Sequence, residues 1–182
     1  MKIEECIKDR RSVRKYTETE ITKDTIDEII DLARFAPSWK NSQAVRYHVV
    51  FDKDLKAKIA AQGVLGFSYN AKTIERCKAL VVVSVLKKVS GYEHDGTFST
   101  PQNDRWEVFD AGIATQTFCL AAHAKGVGSV ILGIFDEEKI HQYVSAPEQE
   151  RVVALIALGY LLESKKAGPP RKDIEELVTY HY

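Results

Sequence analysis

Ala79-Leu80-Val81-Val82-Val83-Ser84-Val85-Leu86 is almost continuously apolar and rich in β-branched residues. A run of this kind reads as a strand covered on both faces, because a strand with one wet face would alternate. A second such run, Val152-Val153-Ala154-Leu155-Ile156-Ala157-Leu158, has the same character. Two doubly covered strands require helices on both sides of one sheet. The segments between and around them supply those helices. From Thr22, a suitable N-cap, residues 22–36 carry Ile26, Ile29, Ile30 and Ala33 at helical spacing, with Ile21 and Ile26 placed as a hydrophobic staple and Pro37 as the stop. Asp52 caps a short helix in which Leu55 and Ile59 share a face and after which Gly63 breaks the pattern. Residues 104–125 form a long helix that is apolar almost all round through Phe109, Ile113, Phe118, Leu120 and Ala121, so it is expected to be central and buried, ending at Gly126.

Further out, Val45, Tyr47, Val49 and Phe51 alternate with more polar neighbours, as a half-buried strand does, and residues 127–132 read as another strand. Asp136 caps a helix whose Ile140, Tyr143 and Val144 share a face. Residues 3–9 and 173–178 read as short helices at the two ends. The polar segment 88–105, with Gly91, Gly96 and Pro101, has no periodicity and is the candidate for a mobile lid. The expected fold class is α+β, one sheet packed against helices, in a single domain over residues 1–182.

Composition narrows the function. The 182 residues contain 26 Lys+Arg and 26 Asp+Glu, so the formal net charge is zero, which argues against the clustered basic excess of a nucleic-acid binder. With 45% apolar and 29% charged residues the chain falls outside the disordered regime. The charged start, Met1-Lys2-Ile3-Glu4-Glu5-Cys6, lacks the apolar core of a signal peptide, and no apolar run reaches the length of a bilayer span, so the expectation is a cytoplasmic protein with no membrane partner. Cys6, Cys77 and Cys119 are widely spaced and read as reduced, mostly buried thiols. The five histidines are scattered, with no two at metal-ligand spacing, and no metal site is expected. Gly126-Val127-Gly128 precedes a strand and so fails as a dinucleotide fingerprint; no nucleophile elbow, P-loop or zinc-protease motif is present. A chain without such motifs can borrow its chemistry from a cofactor.

Two groups of residues stand out. Five of the 26 cations lie between Lys8 and Lys15, with Ser12 set among Arg10, Arg11 and Arg14. Such a cluster serves either as a solvated helix end or as a phosphate site, for which guanidinium forks and a hydroxyl are well suited. A second patch, Lys165-Lys166 and Arg171-Lys172, flanks Gly168-Pro169-Pro170, and the two patches would make one phosphate site if the chain ends meet. The other group is Pro37-Ser38-Trp39-Lys40-Asn41-Ser42-Gln43, either an ordinary polar turn or a ligand-lining one.

Arg10-Arg11-Ser12-Val13-Arg14-Lys15-Tyr16, then Ala36-Pro37-Ser38 with Asn41-Ser42-Gln43, then Gly126-Val127-Gly128-Ser129 with a strand ending at Gly133, then Leu158-Gly159-Tyr160 before Pro170-Arg171-Lys172, resembles the FMN-dependent nitroreductase family in order and spacing from about residue 5 to 178. The resemblance implies a nitroreductase-like fold with a central mixed, mainly antiparallel sheet flanked by helices, in an interlocked homodimer with FMN pockets at the subunit interface. It implies that Arg10, Arg11 and Ser12 bind the FMN phosphate and ribityl region, with Arg171 and Lys172 as the late phosphate-binding pair. Arg14 would approach the pyrimidine end of the ring, where a cation stabilises the negative charge that reduction brings. Pro37, Ser38, Trp39 and Asn41 would line the isoalloxazine from the other subunit. Asn70 would hydrogen-bond the ring, and the Leu132 and Gly133 backbone would meet its N5 edge. The activity implied is ping-pong electron transfer from NADH or NADPH to an electron-poor small molecule such as a nitroaromatic or quinone, with no protein nucleophile. Trp39-Lys40 and Gln43-Ala44-Val45 are bulkier than the small residues and Pro-Trp common at this turn. Trp39 therefore either stacks near the flavin or packs in the core or rim, and a non-catalytic FMN-binding or flavin-storage protein remains the alternative. A third reading is a purely structural α+β domain with solvated cations.

Overall fold

The four strands Val45–Val50 (β1), Ala79–Leu86 (β2), Val127–Leu132 (β3) and Glu150–Tyr160 (β4) form one sheet in the order β1-β2-β4-β3, and every neighbouring pair is antiparallel. A computed structural model describes residues 2–162 and 168–182; the expected patch residues Lys165 and Lys166 lie outside them. The two fully apolar runs are the central strands, as double coverage demands. Among the described residues the mixed character expected of the sheet reduces to a single parallel bridge, Ser12 to Ser129 at the β3 edge.

Among the described residues six α-helices surround the sheet: Ile3–Asp9 (α1), Lys23–Ala33 (α2), Lys53–Gln62 (α3), Ser68–Arg76 (α4), Arg105–Ala124 (α5) and Glu137–Tyr143 (α6). Alternation divides the strand residues between two cores. Leu80, Val82, Val130, Leu132, Leu155 and Ala157 meet Ile59, Ile74 and Ile140 of α3, α4 and α6 on one face. Val81, Val83, Val127, Ile156 and Leu158 meet Ile26, Ile29, Phe118 and Ala122 of α2 and α5 on the other. Burial of each such Val, Leu or Ile is worth about 1.5–3 kcal/mol. That exceeds the roughly 1 kcal/mol of a helix cap, so the two cores set the fold and the caps set its boundaries.

The caps are where the sequence places them. Thr22 accepts from Thr25 N–H (3.1 Å), Asp52 from Leu55 N–H (2.7 Å) and Asp136 from Lys139 N–H (3.1 Å). Gly126, with φ +78°, closes α5 by donating to the His123 carbonyl. Ile21 and Ile26 are both buried in the α2 core, as a staple requires.

Four expectations change. Helix α2 stops at Ala33, before Pro37, because the chain needs the intervening residues for the turn into β1. Helix α4 falls in a segment with no assigned element; its amphipathic face, Asn70, Thr73 and Ile74, is short and half polar. Helix α5 is not covered all round: Val108 and Phe109 are 53% and 58% exposed and Gly112 faces open space, so one face lacks cover within the chain. The C-terminal helix shrinks to a 3₁₀ turn, Ile174–Glu176, with Ile174 and Leu177 exposed. The three cysteines are all buried and free. No helix among the described residues is long and apolar enough to cross a membrane.

Candidate cofactor site

The basic segment is held along the end of the sheet rather than left in solvent. Val13 N–H donates to the Ser129 carbonyl (2.9 Å) and Thr17 N–H to the Tyr160 carbonyl (2.9 Å), so residues 12–17 run from β3 to the end of β4. Tyr16 is buried on β4 and donates its hydroxyl to the Val13 carbonyl (2.6 Å). Burial pushes that phenol well above its ordinary pKa, so it acts as a neutral anchor. Two glycines make room: a Cβ on Gly128 would lie 2.9 Å from Val13, and one on Gly159 would lie 2.4 Å from the Tyr16 ring.

The chain ends do meet. A Cβ on Gly168 would lie 2.3 Å from Arg11 Nε, so the glycine that opens Gly168-Pro169-Pro170-Arg171 packs against the Arg11 guanidinium. Arg11 Nη1 donates to the Lys8 and Arg10 carbonyls, whereas its buried Nε has no hydrogen-bond partner. Arg171 donates to the Pro169 carbonyl (3.0 Å), and Lys172 pairs with Glu176 (3.3 Å). Ser12 and Arg14 are exposed on the same segment. A buried guanidinium N–H without an acceptor, beside further cations, is chemically suited to phosphate oxygens.

The turn 37–43 is built differently. Lys40, Asn41 and Gln43 have φ of +44°, +55° and +49°, left-handed values that cost non-glycine residues about 1 kcal/mol each, so the turn needs outside support. Support comes from inside the turn, where Ser38 Oγ accepts Gln43 N–H (3.0 Å), and from α5, where Asp110 Oδ2 accepts Trp39 N–H (2.9 Å). Trp39 packs against Trp106 of α5 with ring centroids 4.6 Å apart and the planes tilted by 47°, and its indole N–H is buried without a partner. Trp39 therefore has an aromatic partner in its own chain, while Pro37 and Asn41 are exposed.

The expected lid at 88–105 is pinned to this turn. Lys40 Nζ meets Glu93 at 2.8 Å and 3.0 Å, holding the glutamate below its ordinary pKa through that hydrogen bond. Ser42 Oγ lies 3.1 Å from Ser90 Oγ, Trp106 Nε1 donates to Thr100 Oγ1 (3.0 Å), and Tyr92 bridges to Phe98. Glu107 is fully buried, accepts Lys88 N–H (2.6 Å) and pairs with Arg151 (2.8 Å); burial raises its pKa against the pull of both partners. The segment lacks periodicity because side-chain contacts, not a regular ladder, order it.

The remaining expected residues lie together on the α4 side. Asn70 is buried and donates from Nδ2 to the Ile134 carbonyl (3.0 Å), which joins α4 to the segment after Leu132 and Gly133. Leu132 is buried at the end of β3. Gly133 opens onto a cleft of about 800 Å³ that is also lined by Arg105, Phe109, Phe135, Arg151 and Val153. Within one chain the basic segment is thus fixed to β3 and β4 and the turn to α5. The unforeseen members, Asp110, Glu107, Ser90 and Trp106, carried one readable signal: two acids three residues apart in an otherwise apolar helix.

The chain is thus an α+β protein with a cationic segment clamped across the ends of β3 and β4. A family model described as the nitroreductase family matches residues 7–160. The chain belongs to the nitroreductase family. A protein of Archaeoglobus fulgidus, provisionally named NADH dehydrogenase/NAD(P)H nitroreductase, is 31% identical over 170 residues, covering 90% of this chain and 89% of that protein. A nitroreductase family protein from Clostridium novyi has a solved structure with a TM-score of 0.77 and 31% identity, over 97% of this chain and 91% of that one. The structure of an FMN-dependent nitroreductase from Clostridium difficile matches at a TM-score of 0.77 with 26% identity, over 97% and 98%.

Proposed function

We propose that the chain, as a single domain of residues 1–182, is a cytoplasmic, homodimeric FMN-dependent oxidoreductase that uses NADH or NADPH to reduce an electron-poor small molecule, such as a nitroaromatic or quinone. The observation that carries it is Arg11, whose Nε is buried against Gly168 and unpartnered, where the N-terminal and C-terminal basic segments meet. Family membership supports the same class.

Arg10, Arg11 and Ser12, with Arg171 and Lys172, would hold the phosphate and ribityl chain. Arg14 would face the pyrimidine end and favour negative charge there. Asn70 and the backbone at Leu132 and Gly133 would meet the ring beside the open cleft. Pro37, Ser38, Trp39 and Asn41 would be contributed across the interface, which the uncovered α5 face supports. The chemistry FMN supplies when bound is two-electron transfer from a nicotinamide hydride to the acceptor. Nicotinamide and acceptor would use the same cleft in turn, giving ping-pong kinetics.

Anaerobic titration of FMN-reconstituted protein with NADH and NADPH tests this reading. Bleaching of the visible flavin band, then parallel double-reciprocal lines in steady-state assays with a quinone, are the expected results. Protein that takes up no FMN sinks the proposal. Yellow protein that neither nucleotide bleaches would favour flavin storage.

A further inference from the structure

Asp110 has no role in the reading above, yet it occupies a singular position. It is almost fully buried in the second turn of α5, three residues after the buried Glu107 that pairs with Arg151. Both of its donors converge on the same oxygen: Oδ2 accepts Trp39 N–H at 2.9 Å and Ser90 Oγ–H at 2.6 Å. Ser90 is itself fully buried and lies 3.1 Å from Ser42 Oγ. One atom of α5 therefore ties the start of the 88–105 loop to the main chain of the 37–43 turn, and Ser42 closes the link from the far side. One helical turn earlier, Trp106 supports the same turn through the Trp39 ring. The turn holds three non-glycine residues at positive φ, a backbone that persists only where its surroundings over-determine it.

We propose that Asp110 is a positioning residue of the cofactor site: its Oδ2 fixes the 37–43 turn in the one arrangement that meets FMN and makes that arrangement depend on the 88–105 loop through Ser90. This rests on the reading of residues 37–41 as flavin-facing. What the site requires of Asp110 is an acceptor at the Oδ2 position rather than a charge. Asparagine can present its carbonyl oxygen there and keep both bonds; alanine keeps neither.

The test uses the purified full-length dimer and FMN as probe, reading the Kd from quenching of FMN fluorescence and the absorption maximum of the bound flavin. Asp110→Ala is expected to weaken FMN by about tenfold and move the flavin band, while Asp110→Asn stays within about twofold of wild type. Ser90→Ala, which removes one donor and leaves the turn bonded, is expected to weaken FMN by about two- to threefold with a shift of the band in the same direction. Glu150→Gln, a buried carboxyl at the start of β4 that bonds Ser84 and His48 and none of the groups around Asp110, serves as a control that lowers the unfolding midpoint without moving Kd or spectrum. Asp110→Ala with wild-type Kd and spectrum would overturn the proposal, as would Asp110→Asn losing as much as alanine. If the alanine variant does not yield dimer, Ser90→Ala with an unmoved band overturns it. Failure of the wild type to take up FMN would instead strike the flavin reading on which it rests.

Discussion

The base of the Tyr16 ring lies against Gly159, leaving no space for a side chain: a Cβ on the glycine would sit 2.4 Å from the tyrosine Cγ and 2.5 Å from Cδ1. This contact fixes where the basic segment crosses β4. Gly159→Ala is expected to destabilise the protein by about 2–3 kcal/mol through overpacking and to displace residues 12–17. Urea unfolding measures the first effect. Wild-type stability in the alanine variant would mean that Tyr16 yields its place without cost.

The meeting of the chain ends predicts a shared anion site. Arg10→Ala combined with Arg171→Ala should weaken FMN by about a hundredfold, since two charge-assisted contacts are lost. Lys53→Ala with Lys72→Ala is the matched control, because both lysines are exposed. Lys56 would be a poor control: it is buried and donates to the Cys77 and Lys78 carbonyls at 2.8 Å and 3.1 Å. Equal FMN retention by the two double variants would refute the shared site.

Acid stability should depend on Glu150. Burial opposes its ionisation, but Ser84 Oγ at 2.5 Å and His48 Nε2 at 2.7 Å outweigh that and hold its pKa below the ordinary value. A carboxyl depressed in the folded state adds stability above its unfolded pKa, near 4.3, and loses it as pH falls through the folded value. Glu150→Gln should therefore cost about 1–2 kcal/mol at pH 7 and progressively less below about pH 4.3. Unfolding midpoints for both proteins from pH 3 to pH 7 supply the comparison; a constant gap would rule the linkage out.

The open face of α5 predicts the assembly. Phe109→Glu places a charge on that face, beside Val108 and Gly112, at an exposed residue that gives up one edge-on ring contact with Trp106. Light scattering should find the wild type dimeric and the variant monomeric, with FMN lost in step because the 37–43 turn no longer comes from a partner. A dimeric variant with intact FMN would move the interface elsewhere.

The central strands were legible because burial on both faces leaves an unbroken apolar run, as in Ala79–Leu86, whose observed bounds match the reading. Caps at Thr22, Asp52 and Asp136 were legible because they depend on residues three apart. Helix α4 was not, since its helical character rests on packing of a short polar segment against Ile134 and the α3 side. The exposure of Phe109 could not be read either. An apolar residue that the fold leaves exposed has the same letter as one in the core. At the site, the arginines were conspicuous by density, whereas Asp110 and Ser90 act across 20 residues of sequence, and only the fold brings them to 2.6 Å.

Strand β4 carries an irregularity opposite Val83 and Ser84, which pair with Ala154 and Val152 and leave Val153 over. The surplus residue keeps Val152 on the same face as Leu155, although three positions separate them. A chain shortened by Val153 would therefore keep its inside and outside in phase, whereas loss of Val82 from the regular stretch opposite would exchange them. The bulge works as a corrected reading frame, a place where the strand can gain or shed a residue beside the Gly133 cleft while the cores on either side keep their pattern.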